Sequence, residues 1–72
     1  NAHMKKAQRI ARAMTKNKGR IFGLTTTNGT EFNARFVHET PSYVTVYDNN
    51  AKRERKLHKT SLAKFRSGTT VI

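Results

Sequence analysis

Between positions 5 and 16 the chain contains no Gly or Pro, and Ala7, Ile10, Ala11 and Met14 recur there at three- and four-residue spacing. That is the period of one face of an α-helix. The spacing predicts a helix, closed by Asn17 and Gly19, with Lys16 and Lys18 near the negative end of its dipole. Only Ile10 and Met14 on the apolar face are bulky, so the helix is expected to dock weakly. Residues 20–27 and 30–38 are rich in Thr, Phe, Ile and Val and meet at Asn28-Gly29, the signature of a two-residue type I′ hairpin. Pairing Thr27 with Thr30 places Ile21, Gly23 and Thr25 on one face with Phe32, Ala34 and Phe36, which is the expected core. Gly23, between two Phe in that arrangement, is expected to mark a bend or a close backbone approach. The other face then carries Glu31, Asn33 and Arg35 with Phe22 and Leu24, which the helix would cover.

Thr40-Pro41-Ser42 ends the second strand, and Tyr43 to Tyr47 form a third with Val44 and Val46 on one side and Tyr43, Thr45 and Tyr47 on the other. Asp48-Asn49-Asn50-Ala51 is a polar turn into a fourth strand, residues 52–59, whose clear apolar residue is Leu57. Thr60-Ser61-Leu62 suits a single helical turn, residues 63–66 a short fifth strand, and residues 67–72 a tail, frayed over Ser67-Gly68-Thr69-Thr70 and unassigned at Val71-Ile72. Four to five short strands in a meander with an N-terminal helix predict a mainly β fold, a small SH3-like or Sm-like barrel over residues 20–66 behind a basic helix at 5–18. Asn1-Ala2-His3-Met4 reads as a cloning remnant ahead of a start at Met4, so His3 is set aside from any site.

Charge changes the picture more than composition does. The chain has 72 residues, fifteen Lys or Arg against four Asp or Glu, and a formal net charge of +11. Residues 1–20 carry net +7, residues 21–51 carry −2 and residues 52–72 carry +6, so a nearly neutral β-rich centre is flanked by two basic segments. A core this small contributes only ~3–5 kcal/mol, and with no Cys neither a disulfide nor a thiolate metal site adds to it. No apolar run is long enough to span a bilayer. The expected compartment is the cytoplasm, that of the host if the protein is viral.

Residues 21–66 resemble the small Sm-like/SH3-like barrel domains of bacteriophage proteins that are distantly related to the WYL domain. The resemblance rests on a strand ending at Asn28-Gly29-Thr30-Glu31, on Val44-Thr45-Val46-Tyr47-Asp48, and on Arg55-Lys56-Leu57 ahead of Thr60-Ser61-Leu62. It implies a phage or bacterial accessory factor. Lys59 stands where the family has an apolar residue, and the Trp-Tyr-Leu signature is missing, so ligand sensing of the WYL kind is not carried over.

Catalytic chemistry has little to work with. Glu31, Glu39, Asp48 and Glu54 are scattered, no nucleophilic Cys or Gly-rich phosphate loop is present, and His38 and His58 lack metal-ligand spacing. The chain is expected to be no enzyme and to need no cofactor, metal or small-molecule substrate. Phosphate binding fits better, because each phosphate neutralised by Lys or Arg releases counterions. The candidate contacts are Lys5, Arg9, Arg12 and Lys16, which form a cationic stripe on one helix face, together with Lys52, Arg53, Arg55, Lys56 and Lys59. In the fourth strand Arg53, Arg55 and Leu57 point one way and Lys52, Lys56 and His58 the other. Tyr43 and Tyr47 are candidates for stacking on unpaired bases. The expected partner is DNA or RNA, not a membrane, since the helix offers no Trp, Phe or Leu to insert. The alternative is a protein-interaction module that steers by charge onto an acidic patch of a host enzyme or an assembly such as RNA polymerase, and modulates it.

Overall fold

The computed structural model describes residues 2–72. Helix α1 (Ala2–Lys16) leads into β1 (Ile21–Thr26), β2 (Glu31–Glu39), β3 (Tyr43–Asp48) and β4 (Arg53–His58). A 3-10 turn (Lys59–Ser61) then connects to β5 (Leu62–Ser67) and β6 (Thr70–Val71). The fold is mainly β: all six strands pair antiparallel in one open sheet of order β4-β3-β2-β1-β5-β6. Of the four residues read as a cloning remnant, Ala2, His3 and Met4 form the first turn of α1, and His3 Nε2 lies 2.6 Å from the Thr60 carbonyl oxygen. Asn1 lies outside the described residues.

The β1–β2 register differs by one residue from the expected one. Ile21 pairs with Arg35, Gly23 with Asn33 and Thr25 with Glu31, so the loop has three residues, Thr27 to Gly29. Thr26 N–H donates to Thr30 O at 3.0 Å and Gly29 N–H to Thr26 O at 2.9 Å. Gly29 has φ +86°, whereas Asn28 is not in the left-handed region. A type I′ turn needs both residues there; a type I turn followed by a left-handed Gly needs only the second. The Asn28 side-chain oxygen accepts from the Thr30 N–H at 3.2 Å and from the Thr26 hydroxyl, which fastens the turn from within.

A shift of one residue inverts a strand. Phe22, Leu24, Phe32 and Ala34 therefore form the buried face, and Ile21, expected in the core, is 56% exposed. Gly23 lies on the outer face, where an added Cβ would meet the Arg66 carbonyl at an ordinary 3.7 Å, so the expected close backbone approach is not there. Phe22 and Phe65 meet at the centre of the core with ring centroids 5.2 Å apart, joined by Val44, Val46 and Leu62.

The helix is not lightly docked. Ala7, Ile10, Ala11 and Met14 belong to the same core cluster and are 0–3% exposed. Two alanines let the backbone come close enough for two larger side chains to suffice. A bulge at Val37 lets α1 join the sheet by polar contacts as well: Phe36 pairs with Val46, but His38 then pairs with Thr45 and Glu39 with Val44. Glu39 is thereby turned to the inner side, where it accepts from the Thr15 hydroxyl at 3.0 Å. At the helix end, Ser67 Oγ donates to Asn17 Oδ1 at 3.2 Å.

The tail is ordered. Ser67 pairs with Thr70 and Arg66 with Val71 across Gly68-Thr69, and Gly68 alone of that pair has positive φ, +58°, as a type II′ turn requires. Ile72 and Phe65 exchange backbone hydrogen bonds of 2.9 and 3.0 Å.

Two substitutions test this packing by chemical denaturation. Ile10→Ala removes a fully buried side chain and is expected to cost about 2–5 kcal/mol; a loss under about 0.5 kcal/mol, the surface range, would mean that the helix is only loosely attached. Gly29→Val forces a β-branched residue to positive φ and is expected to cost ~1–2 kcal/mol, whereas Gly29→Asn, which tolerates that conformation, is expected to cost less.

Candidate nucleic-acid interface

Lys5, Arg9, Arg12 and Lys16 are exposed along α1, on the side away from the four residues that enter the core. The β4 cations divide differently. Arg55 lies on the inner side: its Nε donates to Asp48 Oδ2 at 2.7 Å and its guanidinium sits 5.2 Å from the Phe32 ring centroid. Lys59 pairs with Glu39 at 2.9 Å. Both are thus engaged within the chain. Lys52, Arg53 and Lys56 are exposed, Lys52 in the left-handed position (φ +58°) that closes the β3–β4 turn.

Asp48 organises that turn. Its carboxylate is buried with the residue 2% exposed and accepts from Asn50 N–H at 2.8 Å, Ala51 N–H at 2.9 Å and Arg55. The Ala51 hydrogen bond foremost, and then Arg55 and the Asn50 N–H, hold its pKa below the usual carboxylate value against the opposing effect of burial. Glu39 is likewise lowered, first by its hydrogen bond from Lys59 and then by Thr15, again against burial. These two acids consume two cations; Glu31 and Glu54 are the exposed acids.

The outer sheet face combines rings and charges. Tyr43, Thr45 and Tyr47 alternate outward from β3, with Tyr43 39% exposed and Tyr47 half-buried. Arg35, paired with Tyr47 across β2–β3, holds its guanidinium 5.2 Å from that ring. Lys56 Nζ stands 4.8 Å from the Tyr43 ring, and His58 meets Tyr43 edge-on at 4.9 Å and 76°. Toward β5 the face continues through a hollow of about 450 Å³ over Gly23, flanked by Thr25, Asn33, Lys64 and Arg66. Arg35, Lys64 and Arg66 are the members of this face that the basic segments did not single out. Their signal was strand alternation, which puts Lys64 and Arg66 two apart in a strand with no apolar residue between them but Phe65.

This face is suited to holding an anionic, ring-bearing ligand by charge and stacking. Among the described residues no group of three His, Cys, Asp or Glu is placed to hold a metal ion, and no helix is long and apolar enough to cross a membrane.

Because Asp48 and Glu39 are more acidic when folded, the unfolded chain binds more protons as pH falls, so their contribution is complete above the unfolded values and is lost below about pH 4. Thermal melts between neutral pH and about pH 3 should show that loss. Asp48→Asn, which keeps the shape but not the charge, should be less stable than the parent at neutral pH and lose less on acidification. An acid dependence equal to the parent's would remove Asp48 from this role. No family model, curated protein or solved structure matched the chain in comparisons with known proteins.

Proposed function

We propose that the chain is a non-enzymatic nucleic-acid-binding protein, an accessory or regulatory factor of phage or bacterial type, that holds its target chiefly through phosphates. The observation that carries this reading is how little of the positive charge is spent internally. Of fifteen Lys and Arg, only Arg55 and Lys59 form ion pairs with acids among the described residues. Eight of the others, Lys5, Arg9, Arg12 and Lys16 on α1 and Arg35, Lys56, Lys64 and Arg66 on the sheet, stand exposed on outer faces of elements that share one core. Side chains on such a frame lose little backbone entropy when they bind, and every phosphate they neutralise releases counterions. Membrane attachment is disfavoured because the apolar side of α1 is already buried and has nothing to insert.

The same reading assigns the six-stranded antiparallel sheet to the SH3-like/Sm-like barrels. Its support is the strand order, the short 3-10 turn between β4 and β5, and a cavity of about 340 Å³ between the central β1–β2 hairpin, through Thr26, Asn28 and Phe32, and the edge strand β4, through Arg55 and Leu57.

Titration with duplex DNA, single-stranded DNA and RNA at several salt concentrations is the test. Binding at low salt to at least one of them is expected, with log K falling steeply with log salt. Replacing Lys5, Arg9 and Arg12 by Gln, or Arg35, Lys56 and Lys64 by Gln, should reduce the steepness by about one for each replaced cation that meets a phosphate. Failure to bind any of the three at low salt would reject the proposal, and binding to an acidic protein surface alone would favour the partner-docking alternative.

A further inference from the structure

We propose that the outer face of the sheet is a platform for unpaired nucleotides, with bases stacking on Tyr43 and Tyr47 and the adjoining phosphates taken by Lys56, Arg35, Lys64 and Arg66. This rests on the preceding proposal and narrows it from any polyanion to a single strand.

A site for phosphate alone needs cations and no rings, and α1 is built that way. The sheet face is different. Both tyrosines of the chain lie on it, each with a cation poised over its ring. A cation over an exposed ring is held weakly, more weakly than a base stacked on the same ring. An arriving base therefore displaces Lys56 or Arg35 sideways, to where the phosphate joined to that base must lie. Arginine can instead remain stacked, because its guanidinium is planar. His58, edge-on to Tyr43, walls that position on the β4 side.

Glu54 is the test of consistency. It pairs with Tyr47 across β3–β4 and faces outward with it, so a phosphate cannot settle at that point. A carboxylate beside a stacked base is favourable where the base presents an amine edge, as cytosine does through N4. Glu31, at the hollow beyond Gly23, has the same character. Each acid lies beside a place for a base, and the cations lie between. The hollow over Gly23 extends the path: with no side chain on its floor, a base or sugar can approach the backbone between Asn33 and Arg66. Duplex DNA cannot use these rings, because its bases already stack on one another and show only their edges.

The chain has two Tyr and no Trp, so its intrinsic fluorescence reports on this face alone. A short oligodeoxycytidylate, about ten nucleotides long, should quench tyrosine emission after correction for absorbance, and the same sequence in a duplex should bind without quenching. Replacing Tyr43 and Tyr47 together by Leu should weaken binding of the single strand roughly tenfold or more and leave duplex binding unchanged; replacing both by Phe, which preserves stacking, should leave both unchanged. Single-strand binding without quenching, or equal affinity in the Leu variant, would overturn the platform while leaving phosphate binding in place. Quenching is read on the unsubstituted protein, so the result does not depend on the Leu variant folding. Equal quenching by polyglutamate would also overturn it, since that polymer has charge and no rings.

Discussion

Three residues, Thr27 to Gly29, join β1 to β2, and the parity of that number decides which side of each strand meets the helix. With three, Phe22 and Leu24 turn inward against Phe32 and Ala34, and Asn33 and Arg35 turn outward. With two, β1 would present Ile21, Gly23 and Thr25 to the core, a face with one large apolar residue. Phe22 and Leu24 would then lose their places beside Phe65 and under α1. Burying a large apolar side chain contributes about 1.5–3 kcal/mol, which is much of the stability available to a domain of this size, so the register follows from the core as much as from the turn.

The same alternation separates structural charge from available charge. On the inner side the sheet carries Asp48, Arg55 and Glu39, which can exist there only because each has a partner: Asp48 with Arg55 and two backbone N–H groups, Glu39 with Lys59 and Thr15. Unpaired, Asp48 at 2% exposure would be costly at that depth. On the outer side no such constraint holds: Arg35 and Lys56 stand exposed beside the Tyr47 and Tyr43 rings, and Lys64 and Arg66 stand exposed on β5. The rigidity gained by α1 from Ile10 and Met14 has a functional side too, since the cations opposite them are held on a fixed surface.

Much of this was legible in the sequence. The helix, the four strands through residue 58, the single turn before β5 and the outward placement of Tyr43 and Tyr47 all follow from periodicity and turn residues. The hairpin was found but its register was not, because Asn-Gly serves both a two-residue turn and the end of a three-residue one; the apolar alternation Phe22, Leu24, Phe32 was the better guide. The helix was judged by its bulky residues, although Ala7 and Ala11 mattered by being small. Ser-Gly-Thr-Thr carried a turn signal for β6 that its polarity obscured. Arg55 and Lys59 lie seven and twenty positions from the acids they meet, and the Glu39 contact further depends on the bulge at Val37, so their withdrawal from the set of available cations could not be read from charge alone.

The division of the sheet into an inner and an outer face is set by the β1–β2 register, which nuclear magnetic resonance can measure. Thr26 and Thr30 are a hydrogen-bonded pair, so Thr25–Glu31 and Gly23–Asn33 are wide pairs whose α-protons approach closely. Nuclear Overhauser spectroscopy should show strong Hα–Hα contacts between Thr25 and Glu31 and between Gly23 and Asn33. Contacts joining Thr26 to Glu31 and Leu24 to Asn33 instead, the close pairs of the two-residue hairpin, would put Phe22 and Leu24 on the outside and contradict this division.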